Sequence, residues 1–246
     1  MGIKEFQKEV KERKRFEFGK NWKSFLTILN DERVKQAEIS LKTMLDVESL
    51  KGKTFLDIGS GSGLSSLAAR NLGAKVFSFD FDVSSVWCTS ELKRRYYNDD
   101  NSWTVSQGSV LDDSFLANLG KFDFVYSWGV LHHTGDMWRA LKNVIDLVKP
   151  NGSLFIAIYN YQQFYSNYWT FVKRSFTKYP LTRPFWIMLH YIYPILPSIA
   201  LKYIQNRKPP RGMSYWHDLL DWLGGYPFEV STPKEIFNFY KSNGFI

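Results

Sequence analysis

The stretch Phe55-Leu56-Asp57-Ile58-Gly59-Ser60-Gly61-Ser62-Gly63 decides the fold. A short apolar run ends in a glycine-rich turn, and residues 64–72 after it carry helical spacing. Glycines at such a turn let a ligand approach the backbone closely, and the helix start offers free N–H groups. The Gly-x-Gly-x-x-Gly spacing of a nicotinamide dinucleotide turn fails, because Leu64 stands where the third glycine belongs. No Gly-x-x-x-x-Gly-Lys-Ser/Thr run occurs, which excludes a P-loop.

Working outward, short apolar runs alternate with amphipathic helices. The pattern predicts strands over 54–58, 75–79, 103–107, 122–127 and 153–159, and helices over 64–72, 84–97, 113–119 and 137–148. Strands joined by helical crossovers form a doubly wound, mostly parallel α/β sheet. Asn151-Gly152 reads as the turn from the last crossover helix into the fifth strand. Upstream, residues 4–24 read as one charged helix, and a second helix starts with Asp31 as N-cap and carries Val34, Ala37, Leu41, Met44 and Leu45 on one face. Near the end, Thr232, Pro233 and Glu235 have the spacing of a capping box, with a stop at Gly244.

Acidic and polar residues fall at the strand tips: Asp80 and Phe81 after the second, Ser109 and Val110 after the third, and Trp128, His132 and His133 after the fourth. These tips share the carboxyl edge of the sheet, where open α/β folds bind ligands. An acid at the second tip suits the two hydroxyls of a ribose.

The Asp57–Gly63 turn, the Asp80 tip and the loop Val130-Leu131-His132-His133-Thr134-Gly135-Asp136 together resemble the class I S-adenosylmethionine-dependent methyltransferases, over roughly residues 50–160. The loop is similar to that of the branch methylating quinones and other small molecules, in which a Leu-x-His segment follows the fourth strand; His133 takes that place. The resemblance implies a Rossmann-like core that binds S-adenosylmethionine. Asp57, Gly59, Ser60, Gly61 and Gly63 would hold the methionine portion, Asp80 the ribose, and Ser109 and Val110 the adenine, with Phe81 stacked on the base and Trp128 beside them. Members usually end in an antiparallel strand pair after the last helix, and Gly244-Phe245-Ile246 stands where it would begin, so that pair is expected to be missing. No Asn/Asp-Pro-Pro-Tyr run follows the fourth strand, which disfavours a nucleobase or amide acceptor.

Charge is uneven. Lys and Arg number 32 against 24 Asp and Glu, a net charge of +8. Residues 160–212 hold Lys173, Arg174, Lys178, Arg183, Lys202, Arg207, Lys208 and Arg211 and no acid, so the rest of the chain sums to zero. The same segment is dense in aromatics and is cut by prolines, including Pro194 and Pro197 in the apolar run 184–201. These interruptions and His190 argue against a membrane span. The segment reads as a helical cap, either with a solvated basic face or as a surface for an anionic or lipid-like partner. One cysteine, Cys88, excludes an internal disulfide, and the charged N-terminal residues lack a secretory signal, which points to the cytoplasm, with peripheral membrane contact.

The expected organisation is therefore N-terminal helices over 1–50, the cofactor-binding core over 51–160, the cap over 161–230 and a returning helix over 231–246. The expected activity is O-methylation of a small-molecule, glycan or lipid-linked acceptor. His133 is the first candidate base, followed by His132 and by His217, which shares a helix face with Asp221. The alternatives are an RNA methyltransferase using the basic segment as a phosphate track, and a cofactor-binding protein without catalysis. No metal-ligand spacing is present, and nothing in the residues sets an oligomeric state.

Overall fold

The computed structural model describes residues 3–191 and 213–245. In chain order the elements are α1 (Ile3–Lys11), α2 (Phe18–Phe25), α3 (Asp31–Leu45), β1 (Thr54–Ile58), α4 (Leu64–Asn71), β2 (Lys75–Asp80), α5 (Val83–Tyr96), β3 (Trp103–Gln107), α6 (Asp113–Ala117), β4 (Phe122–Trp128), α7 (Met137–Asn143), β5 (Val148–Ala157), α8 (Gln163–Lys178), α9 (Arg183–His190), α10 (Tyr215–Gly224) and α11 (Pro233–Ser242). The five strands form one parallel sheet in the order β3-β2-β1-β4-β5. Strand order reverses between β1 and β4, which opens a crevice at their carboxyl ends.

Alternation along β1 sorts its side chains onto two faces. Phe55 packs with Leu67, Leu92, Trp103 and Tyr126, joined by Phe25 of α2 and Leu41 of α3. Leu56 and Ile58 pack on the opposite face with Phe79, Val125, Leu141 and Tyr240 of α11. Burying a phenylalanine as fully as Phe55 stabilises the fold by roughly 1.5–3 kcal/mol. A third cluster, Val172, Phe176, Trp186, Leu219 and Leu223, ties α8, α9 and α10 together beside the carboxyl edge.

Four expectations change. The N-terminal segment is two helices, because the chain breaks after Lys11, Arg13 takes φ +57°, and Arg15 and Phe16 turn inward toward the crevice. The N-cap of α3 is Asn30, whose side chain accepts from the Arg33 N–H, and Asp31 is the first helical residue. The last crossover helix ends at Asn143, followed by a 3₁₀ turn at Ile145–Leu147. Asn151-Gly152 lies inside β5, not before it. Asn151 takes φ +64° in a bulge that shifts the register between Phe122 and Phe124, and the edge position of β5 tolerates this. The capping box of α11 forms as expected. Among the described residues the sheet contains no antiparallel strand, and no helix is long and apolar enough to cross a membrane. Pro194, Pro197, Lys202, Arg207, Lys208 and Arg211 lie outside the described residues.

Candidate active site

The glycine turn leaves β1 with Gly59 at φ +74° and Gly61 at φ +56°. The N–H groups of Gly59 and Ser60 donate to the Phe79 carbonyl at 2.9 and 3.1 Å, which holds the turn against the end of β2. Here Asp80 bridges two turns: Oδ2 accepts from the Gly61 N–H and Oδ1 from the Asp82 N–H, both at 2.9 Å. Asp82 accepts in turn from the Gly19 N–H at 2.8 Å and so pins α2 beside the turn. Gly19 has no room for a side chain, since a Cβ would lie 2.4 Å from Ser84 Cβ. The docking of α2 places Trp22 over the turn, where a Cβ on Gly61 would sit 3.0 Å from the indole Nε1.

Asp57 is buried on the α4 side of β1 and accepts from Ser66 Oγ. Ser66 and Ser78 lie 2.7 Å apart, and the Trp103 indole N–H donates to Ser78 at 2.9 Å. The single hydroxyl proton of Ser66 goes to Asp57, so Ser78 donates to Ser66, and the donors run from Trp103 to Ser78 to Ser66 to Asp57. Burial pushes the Asp57 carboxyl up to about 6 and that of Asp80 up to about 7. Neither shift contains a contribution from a neighbouring cation.

The loop after β4 carries the two histidines as a 3₁₀ turn, Leu131–His133. The ring Nδ1 of His133 lies 2.7 Å from the Pro227 carbonyl oxygen. That carbonyl only accepts, so Nδ1 bears the proton and Nε2 is the free acceptor. Arg15 grips the same loop, donating to the carbonyls of His133 at 2.7 Å and Thr134 at 3.0 Å, and pairs with Glu9 at 2.7 Å. Burial, together with the positive charges of Lys173 and Arg15, lowers the His133 imidazole to about 3. It is neutral at physiological pH.

These groups line one cavity of about 810 Å³. Asp57, Gly59, Ser60, Gly61, Asp80, Phe81, Ser109, Val110, Trp128 and His133 all face it. Gly63 does not: it is the N-cap of α4, at φ +82°, and a Cβ there would meet the Thr89 backbone at 2.8 Å, so this glycine serves helix packing. His132 is also absent from the lining. It is wholly buried against Tyr159, with ring centroids 4.1 Å apart, and neither ring nitrogen has a hydrogen-bond partner. His217 turns away from the cavity, with Nε2 3.2 Å from Ser24 Oγ, and does not bond Asp221. Asp221 lines the cavity itself and accepts from Asn21 at 2.8 Å.

Arg15, Phe16, Phe18, Trp22, Tyr159 and Trp222 also line the cavity. They belong to distant segments without a shared motif. Only the aromatic density around Phe16–Trp22 and Tyr215–Trp222 signals them in the sequence. An enclosed site whose two carboxylates pair with no cation among the described residues suits a ligand bringing its own positive charge and a ribose diol. The donor implied by the motifs has both, and Asp57, Asp80 and the glycine turn fit it.

A family model described as a methyltransferase domain matches residues 32–193. The ubiquinone biosynthesis O-methyltransferase of Coxiella burnetii is 26% identical over 204 residues, covering 81% of this chain and 75% of that protein. The tRNA U34 carboxymethyltransferase of Pseudoalteromonas translucida is 32% identical over 111 residues, 45% of this chain and 33% of that protein. Among solved structures, the magnesium protoporphyrin IX methyltransferase of Synechocystis PCC 6803 with bound SAH superposes with a TM-score of 0.44 at 18% identity, covering 53% of this chain and 57% of that one. The family model spans well over half of the chain, which therefore belongs to the methyltransferase-domain family, as a class I enzyme whose methyl donor is S-adenosylmethionine.

Proposed function

We propose that this chain methylates a hydroxyl oxygen of a small aromatic or amphipathic acceptor. The observation that carries this reading is the continuity of the cavity. One space runs from the Gly59–Gly61 turn to an aromatic wall of Phe16, Phe18, Tyr159 and Trp222, with His133 on its lining. Its volume lies toward the upper end of the ~300–1,000 Å³ typical of small-molecule sites, as suits two ligands held together.

The donor supplies a methyl group already activated on a sulfonium, so an S–CH₃ bond breaks as an O–CH₃ bond forms and a neutral thioether remains. The protein's main task is alignment, worth roughly 7–11 kcal/mol in effective-molarity terms. Asp80 receives the ribose hydroxyls, Asp57 lies toward the methionine end, and Ser109 and Val110 border the adenine beside Phe81. Trp22 and Arg15 close the site from the N-terminal side and exclude water. His133 presents Nε2 to the acceptor hydroxyl and takes up its proton as the new bond forms.

The acceptor class is supported by the enclosed aromatic wall and by relatives named for ubiquinone biosynthesis. The relative named for tRNA aligns with less than half of this chain, and the RNA reading gains no separate support. The outer surface of the cap bears on where such an acceptor arrives. Phe164, Tyr165, Phe171, Leu181, Phe185 and Met188 are exposed on α8, α9 and the turn between them, beside Arg174, Lys178 and Arg183. Apolar side chains among basic ones, with no acid from 160 to 212, suit the surface of an anionic bilayer. The test of the activity is transfer of labelled methyl to catechol and phenol acceptors. Product carrying the label on oxygen is the expected result; label on nitrogen or carbon, or transfer to RNA alone, contradicts it.

A further inference from the structure

Lys173 of α8 is completely buried, although the sequence places it in a segment that reads as a solvated basic face. Its ammonium sits 4.2 Å from the centroid of the Trp222 ring, 4.8 Å from Phe228 and 5.4 Å from Tyr159. Its Nζ also donates to the Trp222 carbonyl. A buried cation needs such partners, because isolated ammonium groups are strongly penalised away from water.

The rings it touches form a thin partition. Tyr159 and Trp222 meet edge to face with centroids 4.7 Å apart. Both line the main cavity, and both also line a second cavity of about 160 Å³ together with Phe228 and Trp169. With space on either side, the pair has less packing than a core contact, and Lys173 supplies an anchor. The partition runs directly to the reacting end, since Tyr159 lies against His133 with centroids 5.7 Å apart.

We propose that Lys173 is a positioning residue for methyl transfer: its ammonium holds the Tyr159–Trp222 wall in place and, through that wall, draws an acceptor hydroxyl beside His133 toward its ionised form. The inference rests on the O-methylation reading above. Lys173 and Arg15 both hold the His133 imidazole low, which makes His133 a weak base. The same positive charges stabilise an oxyanion next to it, so the hydroxyl loses its proton more easily and passes it through Nε2 to solvent. The charged and titratable groups facing Lys173 are Asp221 on α10, His132 and His133 after β4, and Tyr159 after β5. Burial lowers the lysine to about 7 against the opposing pull of Asp221, so its own charge changes near neutrality.

The test uses 4-nitrocatechol, whose colour reports its ionisation, titrated into the full chain with S-adenosylhomocysteine present. Lys173→Met keeps an unbranched side chain, one heavy atom shorter, and removes the charge. For the wild type, the bound probe is expected to ionise at lower pH than the free probe. In Lys173→Met this shift disappears and binding weakens at least fivefold, while affinity for S-adenosylhomocysteine stays within twofold. Equal ionisation and equal binding in the two proteins overturn the proposal. So does a wild type that binds S-adenosylhomocysteine but not the probe, which leaves the donor site standing. Failure of the wild type to bind S-adenosylhomocysteine instead contradicts the reading beneath it.

Discussion

His133 Nδ1 is bound to the carbonyl oxygen of Pro227, 94 residues further along the chain, at 2.7 Å. This contact fixes the tautomer and turns a packing residue into an acceptor at Nε2. His133→Ala is therefore expected to depress turnover on a hydroxyl acceptor about 10²-fold, within the range for general-base groups. Affinity for S-adenosylhomocysteine should change less than twofold. Steady-state kinetics on an identified acceptor check this, and unchanged turnover assigns the imidazole a packing role.

The pH dependence of donor binding follows from Asp80. Its carboxyl stands near 7 in the ligand-free protein, raised by burial. Ribose hydroxyls donate best to the ionised form, so binding releases a proton below that pH. The dissociation constant should rise as pH falls from about 7 toward 6, by up to about tenfold per unit, and Asp80→Asn should flatten this slope. Calorimetry in buffers of different ionisation enthalpy reads the released proton directly.

Gly63 and Gly61 belong to one turn but do different work. At Gly63 a Cβ would press on the Thr89 backbone in a left-handed conformation. Gly63→Ala is expected to cost about 1–3 kcal/mol of folding stability. Urea unfolding measures it, and a change below roughly 0.5 kcal/mol would place the glycine in ligand approach instead.

The exposed cap surface makes a separate prediction. Each basic residue near an anionic bilayer contributes roughly 1 kcal/mol. Reversing Arg174 and Lys178 to Glu should release the protein from phosphatidylserine vesicles in flotation, and raised salt should do the same to the wild type. Retention on RNA without flotation would favour the basic segment as a phosphate track.

The proposed donor half of this site was legible because it is local. β1 and β3 match their expected limits, since each is a short apolar-patterned run bounded by turn residues. Asp57, Gly59, Gly61 and Asp80 follow from strand tips and a glycine turn. The proposed acceptor half draws on Arg15, His133, Tyr159 and Trp222, with Lys173 and Pro227 packed behind them, and these residues come from segments far apart in the sequence. Lys173 could not be told from its solvated neighbours by composition, because its burial depends on rings from two other segments. His217 and Asp221 share a helical spacing, but Asn21 of α2 takes Asp221 and Ser24 takes His217. β5 begins earlier than expected, because Asn151-Gly152, which reads as a turn into the strand, is absorbed by this edge strand as a bulge.

The half-buried Asp80 carboxylate is proposed to anchor the methyl donor in this cavity. Calorimetric titration of S-adenosylhomocysteine into wild type and Asp80→Ala tests it most directly. Measurable binding to the wild type is expected, with a loss of about 1.5–3 kcal/mol in the variant, the usual worth of hydrogen bonds to a charged group. Equal affinity in the two proteins would contradict it.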